Sequence, residues 1–379
     1  MYIERTITKD IENRLFQGKI IVIYGPRRVG KTTLVRHLIK LHEKTKKILY
    51  LTGDDIPTQN NLTSQNVAML KQFLGDAELV IVDEAQRINN IGINLKLIVD
   101  SFPNIQLIAT GSSSFDLANK IKEPLTGRTF EYFLPPFSLQ ELSGQYKQNE
   151  LVALLDNLLL YGLYPDVFLS PMEDKERKLK ELMNNYLFKD ILAFEGQKNS
   201  GFVFKLLQLL AFQAGNEVSY NELAKILEVG KATVEKYINL LEQTYVIYKI
   251  GPFSRNLRNE IGKKRKIYFW DVGIKNALIQ NFNNPSLRTD IGSLWENFYI
   301  SERIKYLKTN FKYKNVYYWR TYDQKEIDYL EESDNILKGY EIKWGKAKAR
   351  IHKEFLKAYK DSTINIINKD NFLDHLVRE

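Results

Sequence analysis

Near the start of the chain, Gly25-Pro26-Arg27-Arg28-Val29-Gly30-Lys31-Thr32 has the spacing G-x-x-x-x-G-K-T, after an apolar run and at the head of an amphipathic one. Residues of these types at this spacing handle phosphate. The glycines let backbone N–H groups wrap phosphate oxygens, and the N-terminus of the following helix adds a favourable dipole. Lys31 would reach the β- and γ-phosphates of ATP and the Thr32 hydroxyl would bind Mg²⁺, with Thr33 completing the nucleotide-binding stretch. Further along, Leu79-Val80-Ile81-Val82-Asp83-Glu84 is an apolar run ending in two carboxylates, and desolvated charge is costly unless it is paired or metal-bound. Asp83 would hold the Mg²⁺ through water, and Glu84 would be the base that polarises the attacking water. The next apolar run enters Thr110-Gly111-Ser112-Ser113-Ser114, where Ser112 or Ser113 could orient that water or simply form a turn. Arg128 could supply positive charge to a γ-phosphate across a subunit interface, the alternative being an ordinary surface ion.

The elements that must carry these groups follow from periodicity. Residues 20–24, 48–51, 79–82 and 105–109 are β-branched-rich strand candidates separated by helical patterns, a βαβ series that implies a parallel sheet covered by helices. After Pro135-Pro136 the pattern changes, and residues 139–196 are mostly helical. Two short helical patterns then flank a turn near Gly230. Ser219 and Glu222 make a capping pair for the first, and Val234, Tyr237, Ile238 and Leu241 line one face of the second. A strand over 246–250 completes the order of a winged helix. In its wing, Arg255, Arg258, Lys263, Lys264, Arg265 and Lys266 stand against the single acid Glu260 and would contact phosphates. Lys231, Thr233 and Lys236 could face a groove, although Glu235 among them would repel phosphate.

The stretches GPRRVGKT, LVIVDEAQR, TGSSS and LTGR…FLPPFSLQEL resemble a family of prokaryotic AAA+-type ATPases that join an N-terminal ATPase to a C-terminal module of unknown function. The resemblance implies an α/β P-loop NTPase sheet followed by a winged helix and a restriction-endonuclease-like α/β domain. It also implies an ATPase with a nucleic-acid connection. The expected organisation is an ATPase domain over 1–145, a helical linker over 146–200, a winged helix-turn-helix over 201–270 and a nuclease-like domain over 271–379.

That last segment has chemistry of its own. Glu296 lies in a helical pattern over 292–307, Asp328 in the strand candidate 326–330, and Glu341 and Lys343 in the candidate 339–344, with a further strand at 316–318. Alternation along a strand puts Glu341 and Lys343 on one face. This is the D…E-x-K arrangement of the PD-(D/E)xK nuclease fold, in which Glu296, Asp328 and Glu341 could hold a second Mg²⁺ or Mn²⁺ and Lys343 could orient the water that attacks a phosphodiester. The bland alternative is a lysine paired with Glu341 or Asp328.

Composition agrees with a multidomain soluble chain. Its 379 residues suggest two or three domains, and 44% hydrophobic with 27% charged residues is ordinary globular usage. A net charge of +9 leans toward a polyanionic partner, with DNA favoured. The absence of cysteine excludes disulfide scaffolds, thiolate zinc sites and a cysteine nucleophile, and the four scattered histidines form no ligand spacing. The N-terminus MYIERTITKDIENRL carries charge where a signal peptide needs an apolar core, and no run approaches a membrane span, so a cytoplasmic protein without a membrane partner is expected. An assembly of identical subunits is the setting in which Arg128 would act.

Overall fold

Five short apolar strands pair side by side in the N-terminal third: β1 (Ile20–Tyr24), β2 (Ile48–Thr52), β3 (Leu79–Asp83), β4 (Gln106–Gly111) and β5 (Thr129–Phe133). All neighbours are parallel, in the order β2-β3-β4-β1-β5. A parallel sheet is covered on both faces, and β3 and β4 are buried along their whole lengths. The structure, a computed structural model, describes residues 2–111, 125–184, 200–254, 264–321, 325–345 and 352–377. Helices α1 (Thr8–Arg14), α2 (Lys31–His42), α3 (Ile56–Asn61), α4 (Val67–Leu74) and α5 (Ile91–Ser101) accompany the sheet. Leu70, Leu74, Leu95 and Ile98 of α4 and α5 share one core with Val80, Val82, Leu107 and Ala109 of the strands. Register then sets function: Tyr24 lies opposite Gly111, and Val82 opposite Ala109, so β1, β3 and β4 end together at one edge.

The chain forms two compact units, one of Glu4–Pro135 with Gln243–Tyr245, the other of Met1–Ile3, Pro136–Glu242 and Val246–Glu379. The main segment of the first of these units ends at Pro135, and Pro136 opens the long segment of the other.

In the second unit, α6 (Leu139–Leu142), α7 (Gln148–Tyr161), α8 (Pro165–Phe168) and α9 (Met172–Leu182) come first. They are followed by α10 (Ser200–Phe212), β6 (Glu217–Val218), α11 (Tyr220–Ile226), α12 (Lys231–Gln243), β7 (Ile247–Pro252) and β8 (Arg265–Phe269). Ser219 caps α11 by accepting the Glu222 amide at 3.4 Å. Then come α13 (Val272–Ile279), α14 (Ile291–Thr309), β9 (Asn315–Arg320), β10 (Glu326–Ser333), β11 (Ile336–Ile342), α15 (Lys353–Ala358) and β12 (Thr363–Ile367). The strands make one seven-stranded sheet, β12-β11-β10-β9-β7-β8-β6. Gly251 pairs with Tyr317 and Pro252 with Tyr318, so the segments on either side of residue 270 share that sheet. No helix among the described residues is long and apolar enough to cross a membrane.

The α14 segment reads as amphipathic in sequence, yet it is buried almost all round from Leu294 to Leu307. Its buried Asn297, Glu302, Arg303 and Lys305 are tolerated because each finds a partner. Asn297 exchanges two hydrogen bonds with the Phe269 backbone at 3.0 and 2.7 Å, Glu302 pairs with Lys305 at 2.7 Å, and fully buried Arg303 forms a two-pronged pair with Glu331 at 2.5 and 2.9 Å. Lys314 adds a third bond to Glu331 at 2.8 Å. Removing one partner of such a pair strands a buried charge, so Glu331→Ala should destabilise the second unit by about 3–5 kcal/mol. Urea unfolding checks this, and a loss below about 1 kcal/mol would mean that Arg303 finds other acceptors.

Candidate functional site

The loop from Gly25 to Gly30 leaves β1 and enters α2 with backbone that only glycine suits at its two ends. A Cβ on Gly25 would collide with the Leu134 carbonyl oxygen, and Gly30 has φ 93°. Lys31 is buried, and its ammonium donates to the Gly25 and Pro26 carbonyls at 2.9 and 2.8 Å, which fixes it at the centre of the loop. Val29 is held from outside by buried Arg5, which donates to its carbonyl at 2.7 Å and to that of Pro135 at 2.5 Å. Arg27 is half-buried, while Arg28 and Thr33 are exposed.

Asp83 is the hub. Its Oδ2 accepts the Thr32 hydroxyl at 2.8 Å and the Tyr50 hydroxyl at 2.7 Å, and its Oδ1 accepts the Thr110 hydroxyl and the Glu84 amide, the latter at 3.2 Å. Burial and the Asp83 carboxylate push the Tyr50 hydroxyl well above its ordinary value, so Tyr50 stays a donor. Half-buried Glu84 has φ 52°, its amide also reaches Thr110 at 3.2 Å, and its carboxylate accepts Gln86 Nε2 at 2.6 Å. A hydroxyl both donates and accepts, so the Thr32 oxygen and the Asp83 carboxylate form an oxygen pair of the kind a hard cation takes. These residues fit Mg²⁺.

Ser112 and Ser113 lie outside the described residues. Thr110, on the strand between β1 and β3, is the polar group that reaches the acidic pair. Arg128 precedes β5, whose Thr129 pairs with Ile20, and therefore sits at the opposite end of the sheet from the loop, roughly 15 Å away along the strand. There it is exposed and bonds Asp100 at 2.7 Å. Sequence reasoning missed Arg5, Tyr50 and Thr110, because nothing local distinguishes a residue that meets Asp83 or Val29 only after folding.

In the second unit, α14, β8, β10 and β11 bring acids and lysines together. Lys266 contacts Glu296 at 3.2 Å and Glu326 at 2.5 Å, and the Tyr268 hydroxyl donates to Glu296 at 2.6 Å. Lys343 contacts Glu341 at 2.8 Å and Asp328 at 3.4 Å, while Asp328 also accepts the Ile342 amide at 2.8 Å. Lys343 lies one residue beyond β11, its own amide bonded to the Ile367 carbonyl. Burial pushes Glu296 up to about 7, Asp328 adding to the push and Lys266 opposing it; burial and Asp328 do the same to Glu341, also to about 7.

One expectation is corrected here. Lys266 does not sit in an exposed wing: its side chain is 2% exposed and bound to acids, because β8 is covered on both faces. Of the other wing residues, Lys264 is exposed and Arg265 half-buried, and residues 255–263 lie outside the described ones. Lys231 and Lys236 are exposed on α12, as is Glu235, with Thr233 half-buried. The expected ligand set of Glu296, Asp328 and Glu341 meets ammonium groups of this chain. Among the described residues no group of three His, Cys, Asp or Glu side chains is arranged to hold a metal; Lys266 contacts Glu296, and Lys343 contacts both Asp328 and Glu341.

A carboxyl whose folded value is raised binds its proton more tightly when folded. Its contribution to stability is present below the ordinary value of 4.5 and is lost as pH rises through about 7. The melting temperature of the wild type should therefore fall between pH 5 and pH 8 more steeply than that of Glu296→Gln or Glu341→Gln; parallel profiles would mean that neither carboxyl titrates in that window.

Residues 17–143 match the family model of an AAA domain, and residues 152–285 and 291–372 match two domains of unknown function, DUF8612 and DUF4143. An uncharacterized protein of Mycobacterium tuberculosis is 26% identical over 343 residues, covering 88% of this chain and 72% of its own length. One from Methanocaldococcus jannaschii is 25% identical, covering 96% and 84%. A Fe(3+) ions import ATP-binding protein of Pectobacterium atrosepticum is 25% identical over 180 residues, 47% of this chain and 44% of its own. The Pif1 helicase of Candida albicans aligns with 48% of the chain and 48% of its own at 19% identity and a TM-score of 0.28, too low to carry an argument. Residues 17–143 are thus similar to an AAA domain, and two stretches after it are similar to domains of unknown function.

Proposed function

We propose that the protein is a Mg²⁺-dependent ATPase whose nucleotide cycle governs a nucleic-acid-binding C-terminal unit, DNA being the favoured partner. The observation that carries the reading is the hub at Asp83, which ties the Thr32 hydroxyl of the phosphate loop to Glu84 through Thr110. Thr32 and Asp83 would hold Mg²⁺, which when bound supplies positive charge to the β- and γ-phosphate oxygens. Lys31 turns from its loop carbonyls to phosphate oxygen. Glu84, oriented by Gln86, accepts the proton of the attacking water. In the second unit the order of α10, β6, α11, α12, β7 and β8 is read as a winged helix, and α14 with β9 to β12 as a nuclease-like sheet. The net charge of +9 and the exposed Lys231, Lys236 and Lys264 support a polyanionic partner. A second reading, a nucleotide-dependent switch or scaffold for a protein partner, is favoured by exposed Glu235 beside Lys236 and by the paired state of the C-terminal acids. In an assembly, Arg128 of one subunit would serve the nucleotide of a neighbour.

Lys31→Ala should abolish tight ATP binding in calorimetry, whereas Glu84→Gln should keep binding and lose about 10²- to 10⁴-fold in turnover. Unchanged turnover in Glu84→Gln would remove Glu84 from its role.

For the C-terminal unit, replacing Lys231, Lys236 and Lys264 by alanine should weaken DNA binding and flatten its salt dependence by about one in slope for each phosphate no longer neutralised, with ATP affinity unchanged. Salt-independent binding, or none by the wild type at low salt, would favour the protein-partner reading.

A further inference from the structure

Glu217, Glu296, Glu326, Asp328 and Glu341 gather beside β10, and the cations that meet them come from this chain. Lys266 and Tyr268 are two apart on β8 and both reach Glu296 Oε1, at 3.2 and 2.6 Å. The same ammonium contacts Glu326 at 2.5 Å and lies 5.4 Å from the centre of the Tyr318 ring. Arg320 approaches the other Glu326 oxygen at 3.5 Å and Glu217 at 3.3 Å. Lys343 bridges Asp328 and Glu341. A lysine is almost never as buried as Lys266 unless it is paired, and here burial alone would lower its affinity for the proton while Glu296, Glu326 and Asp328 more than reverse that.

A divalent cation needs several oxygen ligands turned toward one point. The acids expected to supply them do not offer that. Glu296 is bound to an ammonium and a phenol, Asp328 to an ammonium and a backbone amide, and Glu341 to an ammonium through Oε1. Ammonium groups have no lone pair to lend a metal, and their charge repels one. The Oε2 of Glu341 is buried without a hydrogen-bond partner among the described residues, but one oxygen is far short of a coordination shell. The donor set does not fit Mg²⁺ or Mn²⁺.

We propose that the Lys266 ammonium is the resident cation of this cluster, neutralising Glu296 and Glu326 in place of a divalent metal, so that the nuclease-like unit is an ion-paired scaffold that does not cut phosphodiesters. The proposal is independent of ATP turnover. Removing Lys266 frees Glu296 to converge with Asp328 and Glu341, and the three acids then attract a cation.

The test is Mn²⁺ binding by full-length protein without nucleotide, followed by electron paramagnetic resonance, in wild type, Lys266→Met and the charge-balanced double variant Lys266→Met with Glu326→Gln. Each is paired with Asp328→Asn to assign any site to this cluster, and circular dichroism reports folding. The wild type should show no Mn²⁺ site that Asp328→Asn removes, and DNA incubated with it should stay intact. At least one folded Lys266 variant should gain a single site that Asp328→Asn abolishes, with affinity at least about tenfold above the wild type. An Asp328-dependent Mn²⁺ site or metal-dependent DNA cleavage in the wild type overturns the proposal, whatever the variants do. So does failure of every folded Lys266 variant to gain a site, because Lys266 would then not be what excludes the metal.

Discussion

A carboxylate at the end of a fully buried strand must be hydrogen-bonded from every side, and at Asp83 this requirement organises the N-terminal unit. Its donors come from the first turn of α2, from β2, from β4 and from the backbone of Glu84. Leaving such a group unsatisfied costs several kcal/mol, on the order of a domain's whole stability. The strand order therefore matters as much as the residues. Only with β4 between β1 and β3 can Thr110 bond Asp83 and receive the Glu84 amide at once.

The part of this site that depends on neighbours in sequence was legible in advance. The spacing of Gly25, Gly30, Lys31 and Thr32 and the acidic end of β3 are local patterns with local causes. Strands β1 to β4 were readable because both faces are covered, leaving unbroken β-branched runs. Strand β5 was not, because Glu131 interrupts Thr129–Phe133 and makes the run look like a polar connection. Ser112 and Ser113 drew notice as a cluster of hydroxyls, whereas Thr110 matters through one bond to a residue 27 positions away. Arg5 and Tyr50 likewise act only through partners that folding delivers.

Lys266 shows the same limit with the opposite sign. In sequence it belongs to a run of four basic residues, and such a run is ordinarily a solvated surface. Strand alternation would have helped had only one face of β8 been covered. Residues Lys266 to Phe269 are all buried, so parity did not reveal that Lys266 points into protein. Helix α14 misled for a related reason: Arg303, Glu302 and Lys305 look like an exposed stripe, and only Glu331, Phe137 and Leu139 turn them into buried, matched groups.

The two clusters of charge solve one problem by different chemistry, and that difference separates their uses. Around Asp83 the side-chain donors are hydroxyls, each of which can rotate and offer a lone pair, so Thr32 can pass from donating to Asp83 to binding a cation beside it at little cost. Around Glu296 and Asp328 the donors are ammonium groups and a phenol, and an ammonium can only donate. A cation arriving at the first cluster replaces weak hydrogen bonds with stronger coordination. At the second it would have to expel buried positive charge from carboxylates that already hold it, and the desolvated lysine would have no other partner. The proposed nucleotide cycle needs reversible occupancy, which the first arrangement would allow and the second would resist.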